Sequence, residues 1–135
     1  MATQIFVNLP VRDLERSKAF FSALGFSFDP QFTDDKAACL VLGENLYSML
    51  LTEPFFKTFT VKGLADTSRT AEVITALAET SRARVDELAG RALAAGGAPS
   101  KEPYDFGWMY GRSFQDPDGH LWEVFWMDPA GPPKA

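Results

Sequence analysis

The stretch SFQDPDGHLWEVFWMDP, Ser113–Pro129, predicts a β-hairpin. Its centre, Asp116–Gly119, is typical of a tight turn, because proline presets φ and glycine accepts a positive φ. We expect strands on both sides of the turn, at Met109–Gln115 and Leu121–Met127. The second strand is apolar except for Glu123, which is either a solvated edge residue or a carboxylate that points into a pocket.

The elements before this hairpin follow an order that occurs twice. The first half predicts β-α-β-β-β, with a helix that begins after an N-cap at Asp13 and ends at Gly25. The second half has an N-cap at Ser81, an apolar helical stripe and a stop at Gly96 and Gly97. The caps at positions 13 and 81 are 68 residues apart, so the sequence predicts an internal duplication.

The predicted organisation is one domain, residues 1–128, made of two modules. The modules span about 1–53 and 70–128, a long connection at 54–69 joins them, and 129–135 form a flexible tail. The other predicted strands are Gln4–Leu9, Phe26–Phe28, Ala37–Leu42, Leu46–Thr52, Glu72–Ala78 and a short strand near Ala98.

Charge and composition exclude several classes of protein. A net charge of −5 and a pI of about 4.8 argue against nucleic acid and anionic membranes as partners, because both need basic patches. Cys39 is the only cysteine, which excludes an internal disulfide and fits a reducing, cytoplasmic setting. No signal peptide is expected, and no run approaches the ~18 apolar residues that span a bilayer.

Three stretches resemble the vicinal oxygen chelate superfamily, which includes glyoxalase I, extradiol dioxygenases and bleomycin-resistance proteins. They are Val11–Ser17 with Phe20, Phe21 and Leu24–Phe26, then Gly96–Gly97, and Asp116–Gly119 followed by Glu123. A finer likeness, to predicted lactoylglutathione-lyase-related proteins, is carried by Phe6–Val11, Leu50–Phe56 and Tyr110–Phe114. The resemblance implies an α+β fold in which paired βαβββ modules form curled mixed sheets around a cup, closed within one chain or across a homodimer.

The resemblance also implies a divalent ion (Ni, Co, Mn, Zn or Fe) held by His, Gln or Glu on four strands. In this chain the matched positions fall on Phe6, on Ile74, on Ser48 or Met49, and on Glu123. Only Glu123 keeps a ligand-type side chain, so we expect no metal cofactor. An alternative metal site would combine Glu123 with Gln4 and Glu72, which lie two residues before Phe6 and Ile74 and hence on the same strand faces.

The candidate ligand-binding residues share a predicted cup-facing position or an aromatic side chain. They are Phe6, Asn8, Met49, Phe56, Trp108, Tyr110 and Glu123. Glu123 is also the candidate catalytic residue, as a base or acid; in the structural interpretation it instead bonds a neighbouring arginine such as Arg112. His120 directly follows the turn, where we expect exposure to solvent.

Three functions remain open. The first is a metal-independent protein that binds a small, partly apolar molecule in an aromatic-lined cup. The second is a lyase or isomerase similar to lactoylglutathione lyase, with a divalent metal or Glu123 alone as the base. The third is a protein–protein interaction module. We expect a cytoplasmic homodimer with a small-molecule partner, and the sequence leaves open whether it is an enzyme.

Overall fold

The computed structural model describes residues 1–134, and the chain divides into two compact units, Met1–Asp66 and Thr67–Ala135. The first unit contains β1 (Ile5–Val11), α1 (Leu14–Ala23), β2 (Ser27–Asp29), β3 (Ala37–Gly43), β4 (Leu46–Thr52) and α2 (Glu53–Phe56). The second contains β5 (Ile74–Ala78), α3 (Arg82–Ala94), β6 (Ala98–Pro99), β7 (Tyr104–Asp105), β8 (Met109–Gln115) and β9 (Leu121–Met127). In residues 1–134 no helix is long and apolar enough to cross a membrane.

The first unit is a four-stranded mixed sheet with the order β1-β4-β3-β2, in which β1 and β4 are parallel. Its helix α1 begins where Asp13 accepts a hydrogen bond from the Arg16 N–H at 3.1 Å. The chain leaves α1 through Gly25, which has a φ of 100°. The predicted caps are therefore confirmed, and α1 lies against β3 and β4.

The second unit repeats this arrangement, with the order β5-β9-β8-β6 and parallel pairing of β5 with β9. Ser81 caps α3 by accepting a hydrogen bond from the Arg84 N–H at 3.1 Å, and Gly96 follows the helix with a φ of 106°. The same strand order in both units confirms the α+β class and the pair of βαβββ modules. The strand β7 is an addition, paired with β8.

Several boundaries differ from the sequence-based prediction. The connection predicted at 54–69 begins with helical turns, α2 and the 3₁₀ segment Lys57–Phe59, because proline at the second position of α2 favours a helix start. β5 begins at Ile74, two residues later than predicted. Residues 129–134 contain no helix or strand, and Ala135 of the predicted tail lies outside the described residues.

The direction of each side chain on the second sheet follows from its contacts with α3. Tyr110 and Arg112 of β8 both bond Asp86 of α3, at 2.6 Å and 3.2 Å. Arg112 pairs with Val124 of β9 and therefore lies on the same face. Trp122 and Val124 are 1% exposed on this face and belong to the core. Glu123 alternates with them and lies on the opposite face of the sheet, which we call the open face.

Candidate functional site

A cavity of about 300 Å³ lies against the open face of the second sheet. Its apolar wall comes from Ile74 of β5 and Leu121 of β9, and its carboxylate comes from Glu123. The remaining lining comes from β8, from the segment before β7, from β7 itself and from a second residue of β9: Arg112, Ser113, Ser100, Lys101, Glu102, Tyr104 and Trp122. One strand carboxylate therefore faces a largely apolar space.

Glu123 has one hydrogen-bond partner in this cavity, the hydroxyl of Tyr104, which donates to Oε1 of Glu123. Tyr104 lies 19 positions earlier in the sequence, and the pairing of β7 with β8 brings it here. In the structural interpretation Glu123 bonds a neighbouring arginine such as Arg112, but the Arg112 guanidinium bonds Asp86 on the other face of the sheet. The carboxylate is therefore paired with a neutral phenol.

Gly111 leaves the space in which the Tyr104 ring lies. A Cβ atom on Gly111 would lie 2.3 Å from the ring of Tyr104, so any larger residue would overlap the ring. Gly111 is buried and stands directly opposite Tyr104 in the β7–β8 pair. The outer side of the ring is stacked on Phe106 at 5.2 Å between centroids. The missing side chain at position 111 lets the phenol lie across β8 and reach Glu123.

Burial, followed by the hydrogen bond to Glu123, raises the pKa of Tyr104 well above its ordinary value. The hydroxyl therefore stays protonated, and the stability it contributes is present below about pH 10 and lost as the pH rises through the raised pKa. We expect Glu123→Gln to lower the pKa of Tyr104, because a neutral amide no longer opposes the phenolate. Alkaline titration followed by near-ultraviolet absorbance measures this change.

The matched control for this titration uses Tyr110, whose pKa is raised mainly by its hydrogen bond to Asp86. Asp86→Asn should lower the pKa of Tyr110 and leave that of Tyr104 in place. If Glu123→Gln leaves all tyrosine pKa values unchanged, the bond between Tyr104 and Glu123 does not exist in solution.

Tyr110 and Trp108, two predicted ligand residues, do not line this cavity. Tyr110 lies on the α3 face, where the Arg82 guanidinium stacks over its ring at 5.2 Å and over Trp126 at 5.1 Å. Trp108 is partly buried in the turn before β8, and its carbonyl accepts a hydrogen bond from Asp128. The structure thus places both aromatics away from Glu123.

His120 is 5% exposed, so the expectation that it would be solvent-exposed is wrong. The reason is Asp116, whose carboxylate folds over the turn and accepts hydrogen bonds from the N–H groups of Asp118 and His120 at 2.9 and 3.1 Å. Its other oxygen accepts from the Trp122 indole at 3.0 Å. Burial raises the pKa of Asp116, against the opposing charge of His120. This network fixes the β8–β9 hairpin that carries Glu123.

The other predicted ligand residues belong to the first unit. Phe6 and Asn8 of β1 are two residues apart and therefore lie on the same face of the first sheet. Met49 of β4 pairs with Asn8. Phe6 stacks on Tyr47 with centroids 4.7 Å apart, and its side chain is 46% exposed. Phe56 is half-buried at the end of α2. These four residues form or flank an open apolar face of the first sheet.

The same registers identify the residue of β4 that corresponds to Glu123. Glu123 pairs with Ala76 of β5, and Met49 pairs with Asn8, which is 68 residues before Ala76. Ser48 lies on the opposite, buried face and donates to the Val7 carbonyl at 2.8 Å. Of the two residues left open by the sequence, Met49 is the counterpart.

Comparisons with known proteins agree with this duplicated architecture. Residues 3–43 match the family model described as bleomycin resistance protein-like N-terminal. A hypothetical protein from S. aureus is 31% identical, with 93% of this chain and 94% of that chain covered and a TM-score of 0.77. A glyoxalase/bleomycin resistance protein/dioxygenase from Nocardioides is 25% identical, with 100% and 89% covered and a TM-score of 0.73. The chain belongs to the vicinal oxygen chelate superfamily.

An antibiotic binding protein from Streptomyces shares the fold at 19% identity, with 95% of this chain and 98% of that chain covered and a TM-score of 0.66. No curated protein matches this chain. The vicinal oxygen chelate fold therefore extends over nearly the whole length of the chain.

The four positions that the superfamily resemblance assigns to metal ligands do not fit a divalent ion in this chain. Phe6 and Ile74 have no donor atom, Met49 offers only a weak thioether, and Glu123 alone is an oxygen ligand. The structure describes no group of three or more His, Cys, Asp or Glu residues in 1–134 that could hold a metal. We therefore derive no chemistry through a metal.

The alternative metal set combines Gln4 with Glu72 and Glu123. Within the second unit, Glu72 and Glu123 do not line the same cavity. Glu72 is exposed before β5 and lines a separate small hollow beside His120, not the cavity of Glu123. Gln4 is exposed in the first unit, before β1.

The sequence pattern identifies Glu123 but not four other residues that line the same cavity, Tyr104, Leu121, Ser113 and Lys101. A sequence signal for this contact exists. Gly107 allows a short hairpin between β7 and β8, and such a hairpin can place Tyr104 opposite Gly111.

Proposed function

We propose that this vicinal oxygen chelate protein binds a small, partly apolar molecule in the cavity beside Glu123, without a metal ion. One observation carries the proposal: an apolar cavity of about 300 Å³ contains one strand carboxylate. Sites for small molecules are mostly apolar, with a few placed polar groups, and start at about this volume. The antibiotic binding protein from Streptomyces gives a precedent for binding by this fold.

The apolar part of the ligand would lie on Ile74 and Leu121, which face the cavity from neighbouring strands. Its polar part would meet Glu123, whose hydrogen bond to Tyr104 marks the polar end of the space. Burial of a phenyl-sized group against such walls contributes roughly 25 cal/mol for each Å² of apolar surface removed from water. This is enough for measurable binding of a small aromatic molecule.

Phenethyl alcohol is a suitable first probe, because it combines one ring with one hydroxyl. We expect it to shift the backbone amide resonances of Ser113, Leu121 and Glu123 in an NMR titration. Ile74→Trp should abolish these shifts by filling the cavity, with little change in Tm, because Ile74 is 59% exposed. Ile5→Trp, at a 55% exposed isoleucine of the first unit, is the matched control.

Binding that survives Ile74→Trp, or shifts confined to residues outside the cavity, would contradict the proposal. The same samples test the second candidate function, a lyase or isomerase with Glu123 as base, which is favoured by the phenol hydrogen-bonded to that carboxylate. The assay for this function follows the conversion of the hemithioacetal of methylglyoxal and glutathione to a thioester. If the thioester forms with the natural protein and not with Glu123→Gln, the protein is an enzyme and not only a binding protein.

The proposal extends to a cytoplasmic homodimer. Its support is chemical: Cys39 is a buried free cysteine, and each unit exposes apolar strand residues, Ile5 and Phe6 in the first and Ile74 in the second. Large exposed apolar side chains that cluster on strands are typical of interaction surfaces.

A further inference from the structure

The charge around Glu123 restricts what the cavity accepts. In residues 1–134 no lysine, arginine or histidine forms an ion pair with Glu123: Arg112 pairs with Asp86 on the other face, and Lys101, which also lines the cavity, is exposed and forms no ion pair with the carboxylate. Within the described residues the carboxylate accepts a hydrogen bond from the neutral Tyr104 hydroxyl. A carboxylate that faces a largely apolar space and forms no ion pair is most strongly stabilised by a ligand that brings a positive charge to it.

The Tyr104 side chain can leave Glu123 without disrupting the sheet. The backbone of β7 is fixed by its other residue, Asp105, which accepts two hydrogen bonds from the Arg82 guanidinium at 2.8 and 3.0 Å. The ring itself rests on Gly111, which has no side chain, and on Phe106, which is 64% exposed. A rotation about the side-chain torsions of Tyr104 would therefore break one hydrogen bond and one aromatic contact.

From these contacts we propose that Tyr104 is a displaceable cap on Glu123, and that the ligand that displaces it is an apolar molecule with a protonated amine. The proposal rests on the function proposed above and names its ligand class. An ammonium group replaces the hydrogen bond from the neutral phenol by one in which donor and acceptor carry opposite charges, so the attraction between the two charges is added to the hydrogen bond. A neutral alcohol exchanges one hydroxyl for another and gains little, and a carboxylate is repelled by Glu123.

Phenethylamine, phenethyl alcohol and phenylacetate test this selection, because they share one apolar skeleton and differ in the polar group. We expect the amine to bind about tenfold more tightly than the alcohol, in NMR titrations of the cavity amides at low salt. Phenylacetate should show no binding. Glu123→Gln should remove the preference for the amine, and Glu72→Gln, at a glutamate outside this cavity, should preserve it.

Tyr104→Phe separates displacement from direct contact. It removes the hydroxyl that competes for Glu123 and keeps the ring, so the amine should bind about tenfold more tightly than to the natural protein, by about the strength of one hydrogen bond to a carboxylate. Weaker binding of the amine to Tyr104→Phe would mean that Tyr104 holds the ligand, and the displaceable cap would be wrong. Thermal melting checks that each variant is folded.

The outcomes also distinguish this inference from the proposed function. If the alcohol binds in the cavity as tightly as the amine, the cavity binds small molecules but the amine selection is wrong. If none of the three molecules shifts the amides of Ser113, Leu121 and Glu123, both the inference and the proposed function are overturned.

Discussion

Asp116→Ala is expected to lower the free energy of unfolding by about 3 kcal/mol, because it leaves buried donors without an acceptor. The carboxylate of Asp116 accepts hydrogen bonds from the N–H groups of Asp118 and His120 and from the Trp122 indole. Alanine removes both acceptor oxygens and with them all three hydrogen bonds, and a buried N–H without a partner costs about 1–3 kcal/mol. Urea denaturation measures the change.

Two variants separate the network from the turn. Asp116→Asn keeps the size of the side chain, but its amide donates where the Trp122 indole or the backbone also donates, so we expect about half of the loss seen for alanine. Asp34→Ala is the matched control, since Asp34 accepts from the N–H groups of Lys36 and Ala37 in an exposed turn. A loss for Asp116→Ala no larger than for Asp34→Ala would show that the buried network contributes nothing special.

Gly111→Ala is expected to break the contact between Tyr104 and Glu123 and to destabilise the protein by about 2 kcal/mol. The new Cβ would lie 2.3 Å from the Tyr104 ring, a separation that only movement of the ring or of β7 can relieve. The raised pKa of Tyr104 should return toward its ordinary value in the same variant, which links the loss of stability to the loss of the hydrogen bond.

A double-mutant cycle with Tyr104→Ala isolates the cause of this loss. The three atoms nearest to a Cβ at position 111 all belong to the Tyr104 side chain, so Gly111→Ala should cost much less stability in that background. Gly90→Ala is the control for glycine replacement alone, because a Cβ at Gly90 in α3 meets nothing within 4 Å. An equal loss from Gly111→Ala in both backgrounds would mean that the backbone at Gly111, not the ring, is the constraint.

The hairpin β8–β9 could be predicted to the residue because its signals are local. The turn residues Asp116–Gly119 and the alternation of apolar side chains around Glu123 are both visible within a few positions. The duplication was predicted for the same reason, from the caps at Asp13 and Ser81. Each turn and each helix cap is a local signal, since a cap residue bonds an N–H three positions later.

What could not be predicted depends on pairing between distant segments. The sequence left Ser48 and Met49 open, since a shift of one residue exchanges the two faces of a strand, and only the pairing with β1 places Met49 on the open face. The Tyr104–Glu123 bond depends on a strand of two residues, β7, which has too few residues to show any periodicity. The burial of His120 depends on a side chain, Asp116, that turns inward.

The overlap between position 111 and the ring of Tyr104 has a consequence for the history of this family. In a lineage that has lost the aromatic ring at 104, a small side chain can be accepted at 111. In a lineage that first gains a side chain at 111, that side chain occupies the space of the Tyr104 ring. Substitutions at the two positions should therefore arise in a fixed order and be inherited together. Aligned relatives should show glycine at 111 wherever an aromatic residue occupies 104.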